Sequence, residues 1–256
     1  MGSLTEPFAT GDSFIHRMDP RIRLACGLIL TIPAALLTES RPAWLALAGG
    51  LVLMKMARLD PLLVLKRLLV VNFFILFLWF FLPFTVPGEP VWDLGPLHAT
   101  AQGIDRALLI TVKSNAVVVM LMALLGTISV QNLGPALQKL GVPDKLCHIL
   151  LFTYRYIFTI HEEYTTMRQA MRARGFKPRT DSHTYRAYAW LVGMLLVKSW
   201  DRAERVQAAM RCRGFRGRFY TLATFEAHGS DYLFLALCSA LSAALVYMSF
   251  IQGRLS

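Results

Sequence analysis

The sequence predicts an all-α integral membrane protein of about five transmembrane helices, with a basic helical insertion before the last span. Three observations carry that expectation. Apolar residues make up 55% of the 256-residue chain and charged residues only 17%. Several charge-free runs can hold the ~17–25 helical residues that cross ~30 Å of hydrocarbon. Positive charge is also concentrated: between Arg155 and Arg218, 14 Lys or Arg stand against 5 Asp or Glu, a net +9 of the chain's +11.

The elements follow in chain order. His16-Arg17-Met18-Asp19-Pro20-Arg21-Ile22-Arg23 precedes the first apolar run. Asp19 suits an N-cap and Pro20 the first helical position, where a missing N–H costs nothing. The segment serves either as helix start and cytoplasmic anchor or as a contact for the insertion. The polar residues and two prolines, Pro7 and Pro20, that precede Leu24 argue against a cleavable signal peptide. Span one (24–38) and span two (42–54) are short, but Arg23 and Lys55 can snorkel at their ends, with Glu39 to Arg41 as a polar turn. Span three is expected in residues 68–88, span four in 114–138 and span five in 232–253. Asn72 and Asn115 read as an interhelical hydrogen bond rather than a substrate contact, and Lys113 as a snorkelling residue near the outer end of span four.

Loop charges orient the bundle. Arg17, Arg21 and Arg23 precede span one, and Lys55, Arg58, Lys66 and Arg67 join spans two and three; Glu89, Asp93 and Asp105 outweigh Arg106 between spans three and four. Basic loops stay inside. The N-terminus and residues 129–230 are therefore expected in the cytoplasm of a multi-pass protein of the cytoplasmic (inner) membrane, with a short tail, 254–256, outside. The domain plan is four N-terminal spans in 1–128, the insertion in 129–230 and the last span in 231–256.

The insertion alternates apolar and basic faces at helical spacing. Breakers at Gly134-Pro135, Gly141-Val142-Pro143, Gly175, Pro178, Gly214 and Gly217 delimit helices near 131–140, 144–174 and 183–213. The first is short and amphipathic, suited to the membrane surface or the underside of the bundle. The other two end on a repeat: Ala170-Met171-Arg172-Ala173-Arg174-Gly175-Phe176 returns 39 residues later as Ala209-Met210-Arg211-Cys212-Arg213-Gly214-Phe215. Two readings are open. With Gly at C′, the following Phe packs back on Met at C3 and closes a Schellman turn, so Met, Gly and Phe are capping residues. Arginine near a helix C-terminus also suits the dipole, by ~0.3–1 kcal/mol. Capping does not require the same Arg-x-Arg spacing twice. In the second reading each helix end is a plug whose forked cation and apolar knob enter a groove on another protein, with arginine bidentate to a carboxylate.

Other chemistries are disfavoured. Gly193-Met194-Leu195-Leu196-Val197-Lys198-Ser199 lacks the second glycine of a phosphate-binding loop. The six histidines, His16, His98, His148, His161, His183 and His228, are dispersed, and Cys26, Cys147, Cys212 and Cys238 have no paired spacing, so neither a metal site nor a disulfide framework is expected. The spans carry no Asp or Glu between their ends, unlike ion-coupled carriers. A nucleic-acid or anionic-lipid binder built on the basic segment would spread charge along a face without need of Gly-Phe endings. No catalytic residue, cofactor, bound metal or nucleic-acid partner is expected.

Paired Arg-x-Arg-Gly helix ends, the Asp-Pro-Arg entry to span one and the Leu140-Gly141-Val142-Pro143 element resemble the transmembrane (T) component of energy-coupling-factor (ECF) transporters, and the Ala-Met-Arg-x-Arg-Gly-Phe wording is most similar to the cobalt/nickel, CbiQ-like branch. The resemblance implies a non-catalytic scaffold that binds two cytoplasmic ATPase subunits and a separate substrate-binding membrane subunit. The ATPase contacts would be Arg174 and Arg213, with Ala173, Gly175, Cys212 and Gly214 beside them and Arg172 and Arg211 in support. Cys212 departs from the alanine of the first copy, a small residue for a small one. Co²⁺ or Ni²⁺ would be the substrate, with no direct site for it on this chain. The alternative is a permease of a conventional ATP-driven (ABC) transporter with its own substrate path, for which one coupling loop per chain is the expectation.

Overall fold

Polar signals in the sequence become helix boundaries in the computed structural model, which describes Phe8 and residues 11–87, 90–94, 97–216, 225 and 227–252. After a single turn, α1 (Phe14–Arg17), Asp19 caps α2 (Pro20–Leu36): its carboxylate accepts the Arg21 N–H at 2.9 Å, and Pro20 is the first helical residue. The next helices are α3 (Ser40–Met56) and α4 (Pro61–Thr85), the latter again opening on an Asp-Pro pair. A two-stranded antiparallel hairpin, β1 (Pro90–Leu94) and β2 (Leu97–Thr100), leads into α5 (Ala101–Leu124). The chain continues through α6 (Val130–Lys139), α7 (Asp144–Ala173), α8 (Ser182–Cys212) and α9 (Gly229–Gln252). The class is all-α, with the small hairpin an addition to the sequence-based expectation. Glu89, Gly217 and the expected tail at 254–256 lie outside the described residues.

The chain divides into two units, residues 1–136 with 224–256, and residues 137–223. In the first, α3 buries Ala43, Ala46, Gly50 and Leu53, with its C-cap Ala57 buried too, a stripe at helical spacing made mostly of small side chains. A Cβ on Gly50 would lie 3.4 Å from the Ala116 carbonyl oxygen and 3.5 Å from Val119 of α5. Such close backbone approach is how apolar helices associate when lipid tails are as apolar as the side chains. α4 does the opposite: Phe73, Phe74, Phe77 and Phe80 are all exposed. A helix apolar around its circumference and unburied by protein is solvated by hydrocarbon. α4, α5 and α9 are long and apolar enough to cross a bilayer, while α2 and α3, at 17 residues each, sit at the lower end of that range.

Span four is displaced from its expected place. The charge-free run 114–138 is not one helix; α5 begins 13 residues earlier and Gly126 follows its end. Lys113 therefore lies mid-helix rather than near an outer end. Its ammonium is accommodated because Nζ donates to the Leu37 carbonyl, 3.3 Å away at the C-cap of α2, an oxygen that no helical N–H can reach. Two residues further on, Asn115 and Asn72 exchange reciprocal amide hydrogen bonds of 3.0 Å between α5 and α4. At the other end of α5, Thr100 caps the helix, accepting from Gly103 N, and its hydroxyl donates to the Val86 carbonyl at 2.7 Å. Gly103 permits that junction: a Cβ there would sit 2.7 Å from both the Leu82 oxygen and Pro83 Cα.

α6 straddles the boundary between the units, and Gly134-Pro135, expected to break structure, lies inside it. The second unit consists chiefly of α7 and α8, 30 and 31 residues long, or about 45 Å each.

Candidate functional site

The repeated heptapeptides close α7 and α8 with the same backbone. Arg174 is the C-cap of α7 (φ −83°, ψ 11°) and Arg213 that of α8 (φ −85°, ψ 9°). Gly175 and Gly214 follow in the left-handed region at φ 82° and 76°. Phe176 N donates to Met171 O at 3.1 Å and Gly175 N to Arg172 O at 3.0 Å; Phe215 N to Met210 O and Gly214 N to Arg211 O repeat both distances. These are the two bonds of a Schellman motif. Left-handed geometry costs a residue with a Cβ roughly 1–2 kcal/mol, which is why glycine stands there.

Capping thus explains Met, Gly and Phe, and leaves the arginines over. Arg172, Ala173, Arg174 and Gly175 are exposed, as are Arg211, Cys212, Arg213 and Gly214, whereas Met171, Phe176, Met210 and Phe215 are half-buried. Among the described residues the four guanidinium groups form no ion pair. Each helix end therefore presents two unneutralised cations over a backbone that does not need them. One expectation changes: the Phe176 ring is not a free knob. It lies 5.9 Å from Tyr188 and 6.4 Å from His183, centroid to centroid, seated on the first turns of α8. The loop between is closed by Asp181, which accepts from Ser182 N, and by Thr184 Oγ1, which accepts from Arg179 N at 3.1 Å.

The two helices are pinned where Glu163 pairs with Arg202. That pair was missed in the sequence, although a signal for it existed: the residues are 39 apart, the offset of the repeat, and carry opposite charge at equivalent positions. Each stands 12 residues before its motif glycine, about 18 Å along the helix. A cleft of about 300 Å³ flanks the pair, with Tyr156 and Ile160 of α7 facing Ser199, Val206 and Met210 of α8.

In the first unit the Asp-Pro-Arg entry is a charge cluster in which Asp19, Arg23 and Asp231 are buried and Arg21 is half-buried. Arg21 Nη2 donates to Asp19 Oδ2 at 2.6 Å and to the Phe225 carbonyl at 3.1 Å, with its guanidinium 5.4 Å from the Phe225 ring centroid. Asp231, at the start of α9, accepts from the N–H groups of Asp19 and His228. Buried Arg23 donates to the carbonyl and hydroxyl of Thr127, after α5. Burial pushes the Asp19 carboxyl up, but the Arg21 hydrogen bonds and the Arg21 and Arg23 charges outweigh it and hold the group below its ordinary value. The entry is thus both helix start and a tie to the residues leading into α9. Asp231 and Thr127 carry no sequence signal beyond their polarity.

A family model described as cobalt transport protein (CbiQ) matches residues 11–221. Over 221 residues the chain is 27% identical to an energy-coupling factor transporter transmembrane protein, EcfT, of Listeria innocua, covering 82% of this chain and 83% of that one. It is 31% identical over 156 residues to the cobalt transport protein CbiQ of Rhodobacter capsulatus, covering 60% and 63%. An uncharacterized protein of Methanocaldococcus jannaschii is 30% identical over 113 residues, covering 44% of this chain and 42% of that protein.

Proposed function

The chain belongs to the CbiQ family of cobalt transport proteins, and from that premise we propose that it couples ATP hydrolysis to transport through the arginines that end α7 and α8. It is a non-catalytic, transmembrane component of an ECF-type transporter. The finer reading assigns Arg174 and Arg213 as the contacts to two cytoplasmic ATPase subunits, with Arg172 and Arg211 in support. It leaves substrate recognition to a separate membrane subunit, and takes Co²⁺ or Ni²⁺ as the substrate.

One observation carries this: two helix ends of the same backbone geometry each expose an Arg-x-Arg pair that the cap does not use. An arginine fork matches a carboxylate bidentately, and two equivalent forks match two equivalent sockets. Pinning α7 to α8 at equivalent points gives both levers the same length, so that closure of two like subunits displaces both ends alike. Rigid packed helices transmit such displacement as a two-state rearrangement rather than a graded bend. The same pairing within one chain weighs against a conventional permease.

The test is co-purification from membranes with the ATPase subunits, comparing wild type with Arg174→Ala, Arg213→Ala and the double variant. Removing one partner of a buried ion pair costs ~2–5 kcal/mol, so each single variant weakens assembly and the double abolishes it, while the chain remains folded in the membrane. Full assembly and transport by the double variant would reduce the repeat to a helix cap.

A further inference from the structure

A fourth helix end has the same cap and breaks its rule. At the close of α3, Leu59 N donates to Met54 O at 3.4 Å and Arg58 N to Lys55 O at 3.2 Å, the bond pattern found after α7 and α8. At those two ends, and after α6, the left-handed residue is glycine: Gly175, Gly214 and Gly141. After α3 it is Arg58, at φ 50°, the non-glycine residue with positive φ among those described. Strain of this kind is relieved by a single change to glycine, and its retention points to work for the side chain.

The side chain has a setting for that work. Arg58, Lys55 and Arg17 wall an open concavity of about 540 Å³, with Asp12, Phe14 and Met56 completing its lining. Among the described residues the ion pairs are Asp19–Arg21 and Glu163–Arg202, so none of the three cations is paired with a described carboxylate. The concavity opens beside apolar surface: Trp44, Leu45, Leu51, Val52 and Met56 are all more than a third exposed and form one stripe along α3 opposite its buried small-residue face. From Trp44 to Met56 the stripe runs about 18 Å, close to the roughly 15 Å of hydrocarbon in one leaflet. Three cations at the end of an apolar stripe of leaflet length have the layout of a phospholipid.

We propose that the Arg17–Lys55–Arg58 concavity binds the phosphate headgroup of an anionic phospholipid whose acyl chain lies along the exposed face of α3. Asp12 on the rim sets the affinity by opposing the phosphate. This site does not depend on the coupling role of α7 and α8, and it holds whichever leaflet this end of α3 faces.

The test uses the delipidated full chain in detergent and native mass spectrometry with phosphatidylglycerol and phosphatidylcholine of the same acyl chains. Each cation near a membrane surface strengthens anionic-lipid binding about fivefold. Wild type should retain phosphatidylglycerol preferentially, the triple variant Arg17→Gln/Lys55→Gln/Arg58→Gln should lose about 100-fold in affinity, and Asp12→Asn should gain several-fold. Arg186→Gln/Lys198→Gln/Arg205→Gln, which removes the same net charge elsewhere, should retain the lipid as wild type does. Arg58→Gly separates the site from the fold: it relaxes the backbone, so Tm holds or rises while phosphatidylglycerol retention falls about fivefold. Unchanged lipid preference in both the triple variant and Arg58→Gly would overturn the proposal. Competition by glycerol 3-phosphate as effective as by the intact lipid would also overturn it, by showing a site for a free anion.

Discussion

Exchanging Glu163 and Arg202 tests whether α7 and α8 meet at equivalent points of the repeat. Because the two residues face each other at the same offset from their motifs, the double variant Glu163→Arg/Arg202→Glu rebuilds the pair in reverse, whereas either change alone opposes like charges. The Glu163 side chain is 18% exposed and that of Arg202 36%, so solvent screens the base more than the acid. An exposed pair contributes ~0.2–1 kcal/mol, and partial burial of the carboxylate places this one near ~1 kcal/mol. Like charge at the same spot adds a penalty of similar size, so each single variant should lose about 1–2 kcal/mol and the exchange should restore most of it. For a chain of this size ~1 kcal/mol moves Tm by about 2–4 °C. Melting followed by tryptophan fluorescence suits the assay, because Trp190 and Trp200 both lie on α8. Repeating it near 1 M salt, where the Debye length falls to about 3 Å, should shrink the single-variant deficit. An exchange variant no more stable than the singles would refute the crossing at equivalent positions.

The helix ends make a second set of expectations. Gly175→Ala and Gly214→Ala should each cost about 1–2 kcal/mol from left-handed strain, read by thermal melting, while Arg174→Ala and Arg213→Ala should leave melting nearly unchanged. Within the bundle, Asn72→Ala or Asn115→Ala alone strands an amide in apolar surroundings. A double-mutant cycle measured by unfolding in mixed micelles should give a coupling of ~0.6–1.7 kcal/mol. For Asp19 the sign follows from its lowered pKa. The folded carboxyl lies below its ordinary value of 3.8, so its stabilisation is present above that value and is lost as pH falls through the lowered one. Asp19→Asn should remove this acid limb below about pH 4 in a pH series of melting curves.

Legibility varied with how local the cause was. The helices expected at 144–174 and 183–213 are found at 144–173 and 182–212 because proline, aspartate and glycine fix their ends within a turn. The Schellman placement of Met, Gly and Phe was legible for the same reason, as was the Asp19-Pro20 start of α2. Span four differs from its expected place because a charge-free run does not locate a helix. The actual α5 carries Asp105, Arg106 and Lys113, and Lys113 is tolerated through a carbonyl 76 residues away in sequence. Composition cannot show such a partner. The Phe176 seat on Tyr188 and the Glu163–Arg202 crossing are likewise tertiary, though the 39-residue offset was in view. The β1–β2 hairpin lies in a stretch read only for its acidic charge.

Cys212 is the one exposed thiol of four; Cys26, Cys147 and Cys238 are buried. It occupies, in the second motif, the place that alanine holds in the first. A water-soluble maleimide should therefore mark the end of α8 and leave that of α7 untouched, with no substitution in the native chain. Two ends alike in backbone geometry become separately addressable, so protection of the α8 end by an ATPase subunit, expected if that end is a coupling contact, can be followed with a single label that leaves α7 untouched.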